Sequence, residues 1–442
     1  MDLRHDMRVL DNQPDVPASP AQPPSSVSWR VSAGGAWRRI ALQAAGLWLV
    51  TRLTLVLFTG FAAALAPNIA QTGRLSFSPR ALALLWQRWD AQWYLGIAQH
   101  GYASAQSTAF FPLYPLVIRG VAAVIGPHWL AAALLTSNLG ALGAFVGLGL
   151  LAAHESGSGR TAPEAIRVFA AYPLAFFLAA PYTEGIFLAL AVFGLLAMRQ
   201  GRWHWATLCA ALALLTRPTG IILLPPLLYE YGRQHGWWHV ARWRWGFWGD
   251  HAHLRDIGGA LAIVACVAGA LGLYMLYLAH QFGDPFLFLR AEQLFWHHTP
   301  VVGAVHQTLT QQALPQAPAA ATATAAHAAQ APNWTYELAR SLVDLAPLVI
   351  FGLLTVIAAR RLPGAYTLYM LCLLALILAS PRPDRLGYFV SAGRYLLAAI
   401  PVFLVLARWA QRRPWLDLLL TSGGFLMQAV FAAFFLSGGW LV

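Results

Sequence analysis

The sequence "WLAAALLTSNLGALGAFVGLGLLAA", residues 129–153, carries no charged side chain over a length that can cross a bilayer. A transmembrane helix needs about 20 predominantly apolar residues. The run 257–280 is of the same kind, and the 442-residue chain as a whole is 58% hydrophobic and only 10% charged. Soluble domains carry roughly 25% charged residues. These features predict an all-α polytopic membrane protein.

Apolar runs separated by polar or basic segments set the number of helices. They predict about eleven transmembrane segments: 40–66, 129–153, 166–181, 184–198, 205–216, 219–231, 257–280, 341–359, 364–379, 395–410 and 416–438. The pair 205–216 and 219–231 is interrupted by "TRPTG" and is treated as two half-length helices. Residues 1–38, which are polar and rich in Pro, are predicted to be a disordered cytoplasmic N-terminus preceding a membrane domain over 39–442.

The arginines orient the predicted segments. If 110–126 lies along the membrane surface instead of crossing it, 18 of the 29 basic residues fall in cytoplasmic segments, as the positive-inside rule expects. Arg119, in the middle of that run, also suits an interfacial helix. The preferred topology therefore places outside the cytoplasm a first loop, 67–128, with interfacial helices, and a long loop, 281–340, whose Ala/Gln/Pro-rich part is predicted to be flexible.

Composition excludes some classes of function. The net charge is +12, and a basic membrane protein of this kind is expected to place its basic loops on anionic lipid, so nucleic acid is not a predicted partner. There is no phosphate-binding Gly-rich loop. The three cysteines, Cys209, Cys266 and Cys372, lie in apolar runs without the spacing of a disulfide or metal site.

The stretch "RWDAQWYLGIAQHGY", residues 88–102, places the carboxylate of Asp90 among aromatic residues. In a helix, Trp86, Asp90 and Tyr94 share one face, and the neighbouring Trp89 suits the membrane interface. A carboxylate at that boundary can act as a general base on a sugar hydroxyl. The alternative is a helix cap or an ion-pair partner for Arg88. His100 is a candidate for the polar rim of a ligand site or for a structural role.

Three further charged residues are predicted at the outer ends of helices. Arg217 lies in "LTRPTG", Arg394 in "SAGRYLL" beside Tyr395, and Glu184 in the turn "PYTEG". Guanidinium groups bind phosphate through paired hydrogen bonds, and this depth is that of a lipid phosphate. The alternatives are snorkelling arginines or ion pairs with Glu184 or Asp384, and for Glu184 a helix cap.

The segment "GDPFLFLRAEQLFWHH" adds further candidates. It contains Arg290, a candidate substrate-binding residue, and the acids Asp284 and Glu292. The adjacent His297 and His298 point about 100° apart on a helix and make a poor metal pair. No metal or other cofactor is predicted, although a divalent ion is not excluded.

Several of these motifs together resemble one family. "RWDAQWYLGIAQHGY" followed by "AFFPLYPLVIRG" resembles the PIG-V family of mannosyltransferases, and "PYTEGIF", "LLTRPTGIILLPP", "GDPFLFLRAEQLFW" and "SAGRYLLAAIPVF" resemble its later blocks, in order, over about residues 40–412. The resemblance implies a GT-C-type bundle with surface helices in the first outer loop. It also implies a polyprenyl- or dolichyl-phosphate sugar donor and an acidic residue of that loop, matched by Asp90, as the catalytic base.

The resulting hypothesis is a membrane glycosyltransferase that transfers a sugar, with mannose as the first candidate, to a glycan or glycolipid acceptor with inversion. Asp90 is the expected base, while Arg217, Arg394, Tyr395 and Glu184 are expected to bind the donor. Trp89, Tyr94, His100 and Arg290 are the remaining candidates for substrate binding. The site is expected on the periplasmic, exterior or luminal side of an inner or endoplasmic reticulum membrane. The alternative is a transporter or flippase of a lipid-linked sugar, since broken helices also occur in transporters.

Overall fold

The structure, a computed structural model, describes residues 33–65, 78–237, 251–296, 334–379 and 391–439. Within these ranges every regular element is a helix, which confirms the prediction of an all-α protein for this part of the chain. The predictions for residues 1–32 and for the Ala-rich loop lie outside the described residues. Helix α1 begins at Ala33, so residues 33–38 are helical and do not belong to a disordered N-terminus.

The helices follow one another along the chain with short 3₁₀ turns between several of them. In chain order they are α1 Ala33–Leu65, α2 Pro79–Leu84, α3 Asp90–His100, α4 Leu113–Ile125, α5 Trp129–Ser156, α6 Ala162–Ala170, α7 Glu184–Arg199, α8 Trp203–Thr216, α9 Leu224–Gln234, α10 His251–Phe282, α11 Leu287–Trp296, α12 Trp334–Ala359, α13 Gly364–Ala379, α14 Ala392–Tyr395, α15 Ile400–Arg412, α16 Pro414–Leu418 and α17 Gly424–Leu436.

Several helices have the length and apolar character of membrane spans. Four qualify in the described residues, Gly35–Ala64, Trp129–Ser156, Leu254–Phe282 and Pro414–Leu436. The bent pair Ala392–Ala398 and Ile400–Arg412, at an angle of 77°, makes a fifth only when it is counted as one span. These apolar helices confirm a membrane protein, whereas the predicted number of eleven spans is not confirmed. The predicted segment 166–181 is not one helix, because Pro173 follows the end of α6 and cannot continue it.

Close packing of α5 against α7 forms the centre of the bundle. The glycines of α5 at positions 140, 143 and 147 lie against Ile186, Ala189 and Val192 of α7. Small residues allow helix backbones to approach closely, which is the usual way of associating helices in a membrane, where lipid is as apolar as the side chains. The start of α7 is thereby fixed against α5.

Short helices occupy one end of the bundle, which we call the Asp90 end. Near the start of α1, Ile40 packs against Gly149 late in α5, so these two long helices are antiparallel. At their other ends, Thr59 of α1 accepts a hydrogen bond from Trp86, and Tyr114 donates to the carbonyl of Ala133 in α5. The segment with α2, α3 and α4 therefore stays at this end and does not cross the bundle.

An ion-pair network lies at the opposite end, which we call the Glu155 end. Arg199, at the end of α7, contacts Glu155 at 2.8 Å and Glu230 at 2.6 Å. Tyr366 donates to the Glu155 carboxylate, and Arg408 donates to the Glu155 carbonyl. These residues come from segments predicted to be cytoplasmic or to border them, so the structure gathers those segments at one end.

Candidate active site

Glu184 is the buried carboxylate around which the site is built. It is the first residue of α7 and only 1% exposed. Its neighbour Gly185 lies against the carbonyl of Ser137 in α5, where a Cβ atom would overlap that oxygen. A side chain at position 185 would therefore push α7 away from α5. The glycine of "PYTEG" thus sets the position of Glu184 at the helix crossing.

Arg217 reaches Glu184 from the turn "TRPTG". This residue is extended, between the end of α8 and a 3₁₀ turn, Pro218–Leu223, that leads into α9. Gly220 packs against the backbone at Leu214, and α9 runs back toward the Glu155 end. The chain reverses at the Asp90 end. Arg217 Nη1 donates to Glu184 Oε1 at 2.6 Å.

Arg394 joins two carboxylates that come from distant parts of the chain. Its Nε lies 2.7 Å from Glu184 Oε1, and its Nη2 donates to Asp90 Oδ2 at 2.8 Å. Arg217 and Arg394 are only 8% and 6% exposed. Four charged side chains therefore form one cluster in which two positive and two negative charges balance, as buried charges require.

Aromatic rings form cation–π contacts with the guanidinium groups of both Arg217 and Arg394. Arg394 lies 5.3 Å from the ring centre of Phe177 and 5.0 Å from that of Tyr182. Arg217 lies 5.2 Å from the ring centre of Tyr395. Cation–π contacts at these distances are favourable and restrict the orientation of the planar group. Tyr395, predicted as a donor-binding residue, is therefore placed to orient Arg217.

Asp90 begins α3 because the preceding residue breaks the helix. Trp89 has a φ of 49°, in the left-handed region that non-glycine residues rarely adopt, and helical geometry starts only after it. The prediction that Trp86, Asp90 and Tyr94 share one helical face is therefore wrong for Trp86, which is not part of α3. Trp86 lies before α3 and packs between α1 and Phe435.

A polar recess of about 110 Å³ opens above this cluster. Its lining includes the charged residues Asp90, Arg217, Glu292 and Arg394 and the tyrosines Tyr94 and Tyr395. Burial is the main cause that raises the pKa of the Tyr94 phenol well above its ordinary value, so this group stays neutral and acts only through hydrogen bonds. Small-molecule sites typically measure about 300–1,000 Å³. The recess as described thus accommodates only part of a sugar phosphate.

The other predicted site residues lie away from the recess. Trp89 is 41% exposed, and His100 is exposed at the far end of α3. Arg290 pairs with Asp284 at 3.0 Å, and its side chain is 64% exposed. Asp384 lies outside the described residues. Arg88 donates to the carbonyl of Leu436, and Asp90 forms its ion pair with Arg394 instead.

Glu292 lines the recess although it was predicted only as one of several outward acids. It follows Arg290 by two positions on α11, and residues two apart point to nearly opposite sides of a helix. The motif "GDPFLFLRAEQLFW" therefore identified the right segment. Which of its residues faces the recess depends on how α11 packs, and the sequence did not show that this residue is Glu292 and not Arg290. Among the described residues no group of three or more His, Cys, Asp or Glu side chains is arranged to hold a metal ion. The prediction of no metal stays a prediction.

These features define a class: a helical membrane protein with a recessed, charge-balanced cluster of arginines and carboxylates at one end. Residues 61–231 match the family described as Mannosyltransferase (PIG-V). The resemblance inferred from the motifs is therefore confirmed for these residues. The matched residues contain the blocks around Asp90, Glu184 and Arg217, whereas Glu292 and Arg394 lie beyond them.

Curated relatives agree with this family. The chain is 31% identical over 179 residues to GPI alpha-1,6-mannosyltransferase 2 of Rattus norvegicus, a match that covers 38% of this chain and 36% of the rat protein. The corresponding human protein is 28% identical over 173 residues, covering 37% and 35%. The match thus spans about a third of the length of these relatives.

Among solved structures, the apo oligosaccharyltransferase of Archaeoglobus fulgidus is similar at a TM-score of 0.40 and 13% identity. That alignment covers 89% of this chain and 56% of the archaeal one.

Proposed function

We propose that this protein is a glycosyltransferase of the GT-C type, which transfers a sugar from a polyprenyl- or dolichyl-phosphate donor to a hydroxyl of a glycan or glycolipid acceptor. Mannose is the first candidate, because the family match and the curated relatives are mannosyltransferases. The observation that carries the proposal is the convergence of Asp90, Glu184, Arg217 and Arg394 at one recess.

Arg217 is the proposed contact to the donor phosphate. It uses Nη1 for Glu184, and a guanidinium has five N–H donors, so others remain for a phosphate. The ring of Tyr395 and the carboxylate of Glu184 keep it oriented. A phosphate placed there would be stabilised as negative charge develops on the leaving oxygen.

Arg394 has a different proposed role. Two of its nitrogens already face the carboxylates of Asp90 and Glu184. It therefore positions Asp90, and it adds positive charge to the donor side without needing to contact the phosphate directly. Ion pairs of Arg217 and Arg394 with Glu184 were one of the alternatives considered from the sequence. They are thus part of the proposed active site.

In the proposed reaction, the acceptor oxygen attacks the anomeric carbon of the donor from the face opposite the phosphate. Asp90 takes the proton of the attacking hydroxyl, the new glycosidic bond forms, and the bond between the anomeric carbon and the phosphate oxygen breaks. The electron pair leaves with the polyprenyl phosphate, and the anomeric configuration inverts. The bond to Arg394 uses Asp90 Oδ2, which leaves Oδ1 to receive the proton.

The Asp90 end is the proposed outer side, periplasmic, exterior or luminal, because the arginine-rich segments gather at the Glu155 end. A donor carried by lipid reaches such a site laterally from an inner or endoplasmic reticulum membrane and needs no nucleotide-binding domain. Nothing in the described part of the chain favours the transporter alternative.

The test is transfer by the purified full chain in lipid, with polyprenyl-phosphate mannose and a mixture of glycan and glycolipid acceptors. Wild type is expected to release polyprenyl phosphate, and Asp90→Asn is expected to lose activity by about 10²–10⁴-fold, the usual contribution of a general base. The matched control is Asp284→Asn, since Asp284 is a carboxylate at the same end of the molecule that pairs with Arg290 outside the recess. Full activity of Asp90→Asn would overturn the base assignment, and no release by wild type with any acceptor would overturn the transferase.

A further inference from the structure

Asp90 and Arg394, which form an ion pair at the recess, each follow a turn with an unusual backbone conformation. Among the described residues, two that are not glycine have a positive φ, Trp89 at 49° and Ser391 at 73°. Trp89 directly precedes Asp90, and Ser391 lies three positions before Arg394, immediately before α14. Such conformations are costly for a residue with a Cβ atom and persist where the surrounding structure holds them. The positions of both charged side chains therefore depend on what holds these two turns.

A tyrosine from another part of the chain holds the turn before Asp90. Tyr182 donates its hydroxyl hydrogen to the carbonyl of Arg88 at 3.0 Å. The same carbonyl accepts a hydrogen bond from the amide of Ala91, in the first turn of α3, also at 3.0 Å. The side chain of Trp89 does not cap this helix. Tyr182 therefore fixes the peptide on the N-terminal side of Trp89, from which Asp90 is presented to the recess.

A second tyrosine holds the turn before Arg394 in the same way. Tyr172 donates its hydroxyl hydrogen to the carbonyl of Gly393 at 2.8 Å. The turn is closed by the amide of Arg394, which donates to the carbonyl of Ser391 at 3.1 Å. A Cβ atom at position 393 would lie only 2.7 Å from Cδ1 of Leu174, so this turn packs closely against the residues next to Tyr172.

Both tyrosines belong to one irregular segment, residues 171–183, which connects α6 to α7. Its regular structure is limited to a 3₁₀ turn, Ala175–Leu178, and residues 174–183 are all buried. Irregular backbone inside a membrane domain is tolerated where protein surrounds it. The hydroxyl of Ser137 in α5 accepts from the amide of Tyr182 at 3.2 Å and donates to its carbonyl at 2.8 Å. The segment is thus tied to the central helix of the bundle as well as to the two turns.

We propose that Tyr172 and Tyr182 are positioning residues, whose hydroxyl groups hold the two turns and so fix the carboxylate of Asp90 relative to the guanidinium of Arg394. This role rests on the proposed function, in which Asp90 is the base. Because one segment holds both turns, a displacement of either turn changes the distance between the two charged groups. Tyr182 contributes twice, since its ring centre also lies 5.0 Å from the guanidinium of Arg394.

The experiment removes each hydroxyl and keeps each ring, in the purified full chain in lipid. Tyr182→Phe and Tyr172→Phe should each lower kcat for transfer from polyprenyl-phosphate mannose by about 10-fold, because small displacements of catalytic groups are costly, and leave KM near that of wild type. The matched control is Tyr369→Phe. Tyr369 is also buried and donates to a backbone carbonyl, that of Ala398 at 2.8 Å, but this bond lies outside both turns. Its loss should change neither kcat nor KM.

Double variants separate positioning from a general structural role. Once the base is removed, a residue that acts through it has little left to contribute, so Tyr182→Phe should lower kcat by less than about 2-fold when added to Asp90→Asn. For the same reason Tyr172→Phe should have little further effect when added to Arg394→Lys. A fall of about 10-fold in both the wild-type and the variant backgrounds would overturn the positioning role, because the tyrosines would then act independently of the ion pair.

The two turns can also be followed without a transfer assay. The amide of Ala91 is bonded to the carbonyl that Tyr182 contacts, and the amide of Arg394 is bonded to that of Ser391. Hydrogen-exchange mass spectrometry should therefore show several-fold faster exchange of the peptide with Ala91 in Tyr182→Phe and of the peptide with Arg394 in Tyr172→Phe. The other peptides should exchange as in wild type, and the control variant should leave both turns unchanged.

The two measurements distinguish failure of this proposal from failure of the transferase assignment. No transfer by wild type would overturn the transferase, and with it this role, even where exchange responds locally. Transfer by wild type with kcat unchanged in both tyrosine variants would overturn the positioning role alone. Faster exchange along the whole chain would also overturn it, because the hydroxyl groups would then stabilise the bundle and not the two turns.

Discussion

Arg394 donates a hydrogen bond to Asp90 at 2.8 Å although 304 positions separate the two residues in the sequence. The same guanidinium faces Glu184, which in turn accepts from Arg217. One side chain from the last third of the chain therefore holds together two acids from the first half. The carboxylate proposed as the base depends for its position on a helix far from its own.

Substitution of Arg394 should affect both activity and stability. Arg394→Lys keeps the charge but cannot present two fixed nitrogens to two carboxylates, so we expect kcat to fall by about 10-fold, equivalent to about 1.4 kcal/mol. Arg394→Met leaves Asp90 and Glu184 short of one positive charge and should lower the free energy of unfolding by about 3–5 kcal/mol. Transfer assays and thermal unfolding measure the two effects.

The control for Arg394 is Arg290→Lys. Arg290 forms an exposed ion pair, and such pairs contribute little to stability. The kcat and the free energy of unfolding of Arg290→Lys should therefore stay near those of wild type. If Arg394→Lys is fully active, the simultaneous contact of Arg394 with the carboxylates of Asp90 and Glu184 is not needed for catalysis. Arg394 then serves only to balance their negative charge.

The glycine that follows Glu184 should be intolerant of any side chain. A Cβ atom at position 185 would overlap the carbonyl of Ser137, so Gly185→Ala must separate α5 from α7. Overpacking of this kind typically costs about 1–3 kcal/mol, and here it also displaces Glu184. We expect a lower melting temperature together with lower transfer activity per folded molecule.

Gly96→Ala is the matched control for that change. Gly96 is also inside a helix, α3, but no atom lies within 4 Å of the position that its Cβ would take. Alanine favours helix by up to about 1 kcal/mol, so this variant should be as stable as wild type or slightly more stable. Equal stability of Gly185→Ala and Gly96→Ala would contradict the close helix crossing.

The ion-pair network at the Glu155 end should matter for stability alone. Glu230 accepts hydrogen bonds from Arg199, Arg233 and Gln234, and its side chain is 0% exposed. Glu230→Gln leaves the arginines without that charge and should cost about 3–5 kcal/mol of unfolding free energy. The KM and the kcat per folded molecule should not change, because the recess lies at the other end of α7, about 22 Å away.

Asp417→Asn is the comparison for Glu230→Gln. Asp417 pairs with Arg167 at 2.8 Å, but both side chains are partly exposed, so its loss should change the melting temperature only slightly. A large fall in kcat for Glu230→Gln, with KM and folding intact, would show that the two ends are coupled in a way that the proposed division of roles does not allow.

The sequence was informative about which residues lie at the same end and uninformative about which of them touch. Counting arginines on either side of 110–126 placed Asp90, Glu184, Arg217 and Arg394 together, because charge distribution orients membrane helices regardless of tertiary detail. The contact between Asp90 and Arg394 required the bundle to be packed. The start of α3 was missed because the left-handed conformation of Trp89 has no sequence signal of the kind that Gly or Asn provides.

Two carboxylates, Asp90 and Glu292, line the recess, and their roles can be separated by kinetics. Asp90 is held by Arg394 beside the arginine cluster, which suits a group that must be fixed relative to the donor. Glu292 comes from α11, and we expect it to accept hydrogen bonds from the hydroxyls of the acceptor. Glu292→Gln should therefore raise the KM for the acceptor by about 10-fold, equivalent to about 1.4 kcal/mol, with a small change in kcat. Asp90→Asn should instead lower kcat with a small change in KM.

Gln293→Ala, a change at the exposed neighbouring position of α11, is the control and should alter neither kcat nor KM. If Glu292→Gln abolishes transfer while Asp90→Asn retains it, Glu292 is the base, and the ion pair between Asp90 and Arg394 serves only to hold the bundle together at the recess.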